Sequence, residues 1–315
     1  MSRTARSSRF LCSIAALLAG SLGAGAAHAA PSKTLDTVGI SVGSLGNPYF
    51  VSLVRGATEA AHKINPQAKI LAVSSEYDLG KQSGQIDNFI SAGADIILLA
   101  AADPNAIGTA VSRARAAGIV VIAVDVAAKN VDATVQTDNT QAGRLACKYL
   151  GETLKQGNIV IQTGPQVSSI IERMKGCRES LAKYPELKVL SDNQNGNVAR
   201  DGGMNVMMGH LTRFPDFKGV FTVDDPQAIG AELAARQLHR TNIIISSIDG
   251  SPDAVNAIKS GGMIKATASQ NPTLEGSMAV DIGFGLMDGR KPEKTMNLIE
   301  PELVTMDTVA QYKGW

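Results

Sequence analysis

Acidic side chains recur where apolar runs of this sequence end: Asp103 after "IILLAA", Asp125 in "VIAVDV", Asp138 with Asn139 after "ATVQT", Asp224 and Asp225 after "VFTV", and Asp249 in "ISSIDG". Gln270 follows "KATAS", and Arg173 stands on the helical stretch after "NIVIQTG". Ionised Asp accepts strong hydrogen bonds from hydroxyls, and Arg donates to ring and hydroxyl oxygens. Two rings join this set. In "SLGNPYF", residues 44–50, Tyr49 and Phe50 stand side by side in a chain with only 7 Phe, 5 Tyr and 1 Trp. An aromatic face covers apolar C–H surface. Carboxylates, a guanidinium and amides flanked by rings suit a polyhydroxylated ligand. Such a site penalises a wrong epimer, because one lost hydroxyl leaves a buried charged group unpaired.

Each of these residues also has a plainer reading. Asp at a strand end is commonly a turn or helix cap, and Asp103, Asp138 and Asp225 are assigned mainly to that role. Asp125 and Asp249 close apolar strands with Val126 and Gly250 next; capping explains them less well, and they are the stronger ligand candidates. Aromatics in a first helical turn often pack on the neighbouring strand. Phe50 suits that, with Val51 and Leu53 continuing a buried stripe.

The elements that must position these groups follow from the periodicity. Short Val/Ile-rich runs alternate with amphipathic stretches of about 10 to 16 residues: "TVGISVG", a helix from Pro48 to about Ile64, "AKILAVSS", a helix over 81–92, "DIILLAA", a helix over 104–117, then "IVVIAVDV" and "ATVQTD". The cycle restarts with helices over 140–155, 169–183, 201–213 and 226–238, between "NIVIQTG", "LKVLSDN", "GVFTVDD" and "NIIISSIDG". Such alternation predicts parallel sheets covered by helices, and its repetition predicts two similar α/β domains. Five prolines follow a capping residue at strand-to-helix junctions: Asn47-Pro48, Asp103-Pro104, Asp225-Pro226, Ser251-Pro252 and Asn271-Pro272. Each reads as an N-cap followed by proline at the first helical position. All lie at the carboxyl ends of strands, the edge of an open parallel sheet where ligands bind. Tyr49 and Phe50 are thereby expected at a site entrance rather than in the middle of a core.

The 315 residues are 44% hydrophobic and 19% charged, which fits one large or two medium globular domains. Residues 1–29 read as a cleaved export signal: Arg3, Arg6 and Arg9, then the apolar "FLCSIAALLAGSLGAG", then Ala27-His28-Ala29. Cys12 stands near the start of the apolar stretch rather than at its end, which argues against lipidation, and no later run approaches the ~18 apolar residues of a membrane span. The mature protein is expected to be exported and free in solution. Without the signal the formal charge moves from +1 to −2, which gives no electrostatic reason to expect nucleic-acid binding. Cys147 and Cys177 remain, as two buried thiols or as one disulfide, which an oxidising compartment permits. His62, His210 and His239 are isolated, and no HExxH, GxSxG or zinc-type spacing occurs; no enzyme, cofactor or metal site is expected. Trp315, the only tryptophan, stands at the end of the sequence and is expected to report cleft events poorly.

Nearly all of the chain after residue 29 resembles the periplasmic monosaccharide-binding proteins of ABC transporters, the ribose/galactose-binding group. The resemblance rests on "NPYFVSLVRGATEAA", "QIDNFISAGADIILLAAADPNAI", "VIAVD", "TDNTQAGRLACKYL", "ERMKGCRESL", "GVFTVDDPQAIGAELA", "IDGSPDAVNAIKSG" and "ATASQNP", in order and spacing. It implies the type I periplasmic-binding-protein fold: two Rossmann-like lobes, 36–138 plus 271–301 and 139–270 plus 302–315, joined by a three-segment hinge near Asp138, Gln270 and Pro301. It puts Asn47, Tyr49, Phe50 and Asp125 on the first lobe, Arg173 and Asp249 on the second, and Gln270 at the hinge. The implied function is capture of a monosaccharide or related polyol by a monomer and delivery to an ABC permease with its ATPase. Docking on a chemoreceptor or sensor kinase, or a non-sugar polar ligand, is the alternative. A sugar-responsive transcription regulator would need a DNA-reading segment where the export signal stands. Three positions depart from the ribose pattern: Val126 stands where the family has Arg after Asp125, Asp224 where it has Asn, and Val198 where some relatives have an aromatic. The site is therefore more acidic and less stacked than that of a ribose binder.

Overall fold

The computed structural model describes residues 34–315; the export signal read over residues 1–29 lies outside them. The first sheet is built from β1 (Thr37–Val42), β2 (Lys69–Ser74), β3 (Ile96–Leu99), β4 (Val120–Val124), β5 (Ala133–Thr137) and, near the end of the chain, β11 (Met296–Ile299). Its helices are α1 (Pro48–Ile64), α2 (Leu79–Ser91), α3 (Gly108–Ala116) and α9 (Pro272–Met287). The second sheet takes β6 (Gly157–Thr163), β7 (Leu187–Asn195), β8 (Gly219–Thr222), β9 (Ile244–Asp249), β10 (Ile264–Ser269) and β12 (Leu303–Thr305). Around it lie α4 (Asn139–Leu154), α5 (Ser168–Leu181), α6 (Arg200–Arg213), α7 (Asp225–Gln237) and α8 (Pro252–Lys259).

The two sheets have matching strand orders, β11-β5-β4-β3-β1-β2 and β12-β10-β9-β8-β6-β7. Every pairing is parallel except β10 with β12, which runs antiparallel. Parallel strands covered on both faces read as continuous apolar runs rather than alternations, as in β1, buried at all six positions. The chain passes between the sheets three times: between β5 and α4, between β10 and α9, and between β11 and β12.

Capping fixes most helix starts. Asn47, Asp78, Asp138, Asp224, Ser251 and Asn271 each accept a hydrogen bond from a backbone N–H two or three residues on. Two expected caps fall elsewhere. α7 begins at Asp225 with Pro226 in its second position, so the cap is Asp224. Asp225 instead turns inward, where its carboxylate accepts from Ser247 Oγ, from Thr267 Oγ1 at 2.8 Å and from the Ser251 N–H at 2.7 Å. Asp103 caps a separate turn through the N–H groups of Asn105 (2.8 Å) and Ala106 (2.9 Å), which hold its carboxyl below the usual range, and α3 starts only at Gly108. In α1 the buried stripe runs through Phe50 and Leu53, while Val51 points to solvent.

Candidate functional site

Residues from both sheets line one small cavity at the carboxyl ends of the strands. The turn from β1 into α1 brings Asn47, Tyr49 and Phe50, and the end of β4 brings Asp125. The second sheet faces them with Arg173 from α5, Asp224 from the β8–α7 junction and Asp249 from the end of β9; Gln270 comes from the crossing between β10 and α9. Asp103 and Asp138 do not line it. The rings differ from expectation: Tyr49 and Phe50 are 3% exposed and belong to the apolar core around the first sheet, so they form the wall between core and cavity rather than an entrance.

The backbone at this site is held in unusual conformations. Positive φ is uncommon outside glycine and is an outlier for β-branched residues. Tyr77 (φ 58°), Asp125 (φ 58°), Val198 (φ 49°) and Asp249 (φ 140°) all have it, and all four line the cavity. Such residues cost of order 1–3 kcal/mol each and persist where the surroundings over-determine them, a pattern typical of ligand sites.

Arg173 is 3% exposed and lies at the centre of the charges. Its Nε donates to Asn139 Oδ1 at 2.8 Å and its Nη1 to the Val223 carbonyl at 2.9 Å, which fixes the guanidinium. Nη1 is then 3.8 Å from Asp249 Oδ1, and Nη2 is 3.9 Å from Asp125 Oδ1. Asp249 is itself braced, accepting from Gln270 Nε2 at 2.7 Å and from the Asp225 N–H at 3.1 Å. Burial pulls the guanidinium pKa down, but Asp249 and Asp125 together raise it further, so Arg173 stays charged. Burial pushes the Asp125 carboxyl up to about 6, against the pull of Arg173, and pushes Asp224 and Asp249 up to about 7.

Several contributors escaped the sequence reading. Tyr77 lies just past β2 at the same sheet edge and could have been found by the strand-end logic that found Asp125. Glu275 could not: it is fully buried in the first turn of α9, where Oε2 accepts from Tyr49 OH at 2.8 Å and Oε1 from Thr137 Oγ1 at 2.9 Å. Burial, then the nearby Asp125 charge, raises its carboxyl to about 8. Trp315 reaches back from beyond β12. Its indole N–H donates to the Asp249 carbonyl at 2.8 Å, and its ring meets Tyr49 edge-on with centroids 6.3 Å apart. Further contacts join the sheets across the cleft: the Ala127 N–H donates to Ser168 Oγ at 2.9 Å and Gln136 Nε2 to Glu172 Oε2 at 3.1 Å.

The space inside the cavity open to water centres is about 30 Å³, room for about two waters. Beyond Asn47, Val198 and Asp249 a larger cavity of about 450 Å³ opens between the sheets, with Trp315 and Arg200 in its wall. Behind Arg173, the Sγ atoms of Cys147 and Cys177 are bonded and tie α4 to α5. Among the described residues no cluster of His, Cys, Asp and Glu is arranged to hold a metal ion, and no helix is long and apolar enough to cross a membrane.

Residues 38–291 match the family model described as periplasmic binding protein domain. The chain belongs to the periplasmic binding protein family. As a member it holds a solute rather than converting one. Among its relatives is the ribose import binding protein RbsB of Bacillus subtilis, 32% identical over 265 residues, covering 83% of this chain and 85% of the relative. The xylitol-binding protein of Mycolicibacterium smegmatis is 32% identical over 290 residues, 90% of this chain and 81% of the relative. Among solved structures, an ABC transporter periplasmic solute-binding protein from Actinobacillus succinogenes with bound D-allose superposes with a TM-score of 0.81 at 26% identity, covering 88% of this chain and all of that one.

Proposed function

We propose that this binding protein captures a monosaccharide or related polyol between its two lobes in the periplasm and delivers it to an ABC permease. The observation that carries the reading is the meeting of Asn47, Tyr49, Phe50 and Asp125 from the first sheet with Arg173, Asp224 and Asp249 from the second on one buried cavity. Ring faces, hydrogen-bond acceptors and a fixed guanidinium match a compact solute with apolar C–H faces and polar edges. The relatives support it, since their names specify ribose, xylitol and D-allose. Export by the segment at residues 1–29 and action as a monomer belong to the same proposal.

Residues 36–138 with 271–301 and residues 139–270 with 302–315 are proposed to move as two bodies about crossings near Asp138, Gln270 and Pro301. A cavity with room for about two waters admits a sugar-sized molecule only when its walls part. Opening there would separate Arg173 from Asp125, and closure around the ligand would remove water from the polar contacts and strengthen them.

A thermal-shift panel of pentoses, hexoses, alditols, cyclitols, nucleosides and amino acids tests this on the protein from Ala30 onward, refolded to remove carried-over ligand. A ligand that binds only the native state adds about 2.7 kcal/mol of stability at a hundredfold excess over its Kd. A shift confined to polyhydroxylated members, and lost in Asp125→Ala, is the expected result. A shift with amino acids alone, or one that persists in Asp125→Ala, would sink the reading.

A further inference from the structure

The Asp249 carboxylate hangs on a turn of costly backbone. Asp249 has φ 140° and Gly250 φ 70°, angles that only glycine adopts freely. The polar groups of this turn are tied on every side. The carboxylate accepts from Gln270 Nε2 and from the Asp225 N–H. The Gly250 N–H donates to Thr267 Oγ1 at 3.0 Å, and the Ser251 N–H to the Asp225 carboxylate. The two carbonyls are reached by the residues after β12. That of Asp249 accepts from the Trp315 indole N–H as well as from the Gln270 N–H, both at 2.8 Å. That of Gly250 accepts from Tyr312 OH at 3.0 Å, and a Cβ on Gly250 would collide with the same hydroxyl. Only the polar tips of Tyr312 and Trp315 serve the turn. Their segment is anchored separately: Val309 is buried in the core of the second sheet with Tyr312 packed on that core, and the Trp315 ring packs on the core of the first.

We infer that Tyr312 and Trp315 are positioning residues for solute binding: they lock the Asp249–Gly250 peptide in its strained orientation and so aim the Asp249 carboxylate at Arg173 and the inner cavity. The inference rests on the reading that Asp249 meets a polyhydroxylated solute, and extends it to two side chains at a distance. Strained backbone persists only where its surroundings over-determine it. Relaxation of φ to the ordinary negative range would swing the Cα–Cβ bond of Asp249 and carry its carboxylate away from Gln270 and Arg173. A carboxylate fixed before the solute arrives loses less freedom on binding, which favours affinity. Neither Tyr312 nor Trp315 lines the inner cavity, and only Trp315 reaches the outer one, so their influence on a solute held by Arg173 runs through the turn.

Two changes remove the polar tips and keep the rings. Tyr312→Phe deletes the hydroxyl. Trp315 is the only tryptophan, so production with benzothienylalanine exchanges its N–H for sulfur at that one residue. Each form is titrated calorimetrically with the pentoses, hexoses, alditols and cyclitols of the panel above, D-ribose, xylitol and D-allose first. The same changes are made in an Asp249→Gly background, where glycine accepts the turn and no carboxylate is left to aim. Each change should weaken the tightest of these compounds about fivefold to tenfold, with the urea midpoint nearly unmoved. In the Asp249→Gly background each should cost less than about twofold, because residues that act through one another do not add. A crystal structure of the form carrying both changes, without ligand, should show Asp249 moved from its positive φ. Affinity within about twofold of the wild type, an equal loss in both backgrounds, or an unmoved turn overturns the inference and leaves the proposed function standing. If no polyhydroxylated member binds the unsubstituted protein, the function itself falls, and the inference with it.

Discussion

Tyr49 serves the core and the cavity at once, and the two uses can be separated. Its ring packs against Phe50 edge-on at 5.2 Å and walls the cavity, while its hydroxyl donates to Glu275 Oε2 at 2.8 Å. Tyr49→Phe keeps the wall and strips one partner from a fully buried carboxyl. We expect a loss of about 1–3 kcal/mol in urea unfolding, with ligand affinity near that of the wild type; a large loss of affinity at unchanged stability would mean that the hydroxyl itself meets the ligand. The residue scale is also where the sequence was most and least informative. Asn47 and Asp249 were legible because polar residues at strand ends have few purposes. Glu275 was not, since its partner Tyr49 is 226 positions away and nothing local distinguishes it from an ordinary first-turn acid. The positive φ of Val198 was likewise invisible, because a β-branched side chain disfavours it.

At the scale of elements, Arg173 is aimed by a helix pair. α4 and α5 approach so closely that a Cβ on Gly143 would collide with the Arg173 carbonyl, and one on Gly176 with the Thr140 carbonyl. The Cys147–Cys177 bond closes the same seam, with 30 residues of separation. Replacing both cysteines by Ala should cost about 3–4 kcal/mol in the chain-entropy account of such a loop. Ligand affinity should stay unchanged, because Arg173 is still held by Asn139 and Val223; a denaturant melt and a titration on the same double variant check both halves. Periodicity sufficed to locate the parallel sheets, since buried apolar runs bounded by cap-proline pairs admit few other forms. It misplaced the start of α3, where Asp103-Pro104 opens a turn, and the cap of α7, where two successive aspartates compete for one position. The short β11 and β12 escaped notice because edge strands of three or four residues carry little pattern.

For the molecule as a whole, the buried carboxyls set a pH dependence. Asp224, Asp225 and Asp249 are raised to about 7 and Glu275 to about 8, chiefly by burial, whereas in the unfolded chain they ionise near 4. The native state therefore holds more protons than the unfolded one between these limits, and the contribution of these carboxyls to the stability of the ligand-free protein is full below about pH 4 and is lost as pH rises from there to about 8. His210, held neutral down to about 4 by burial, acts in the opposite sense only below ~6.5. Between pH 6.5 and 8.5 the melting temperature without ligand should fall, while the ligand-induced shift should grow, because hydroxyl donors favour the ionised carboxylates. A flat profile in both would place these groups in contact with water. The indole at the far end of the chain offers a way to watch the same cleft in time. Trp315 is the only tryptophan and rests on Asp249 of one lobe and Tyr49 of the other. Its emission therefore comes from a single probe seated across the joint, contrary to what its position in the sequence suggested. Parting the lobes would wet that indole and redden its light, so a stopped-flow trace could yield opening and closing rates with no label attached.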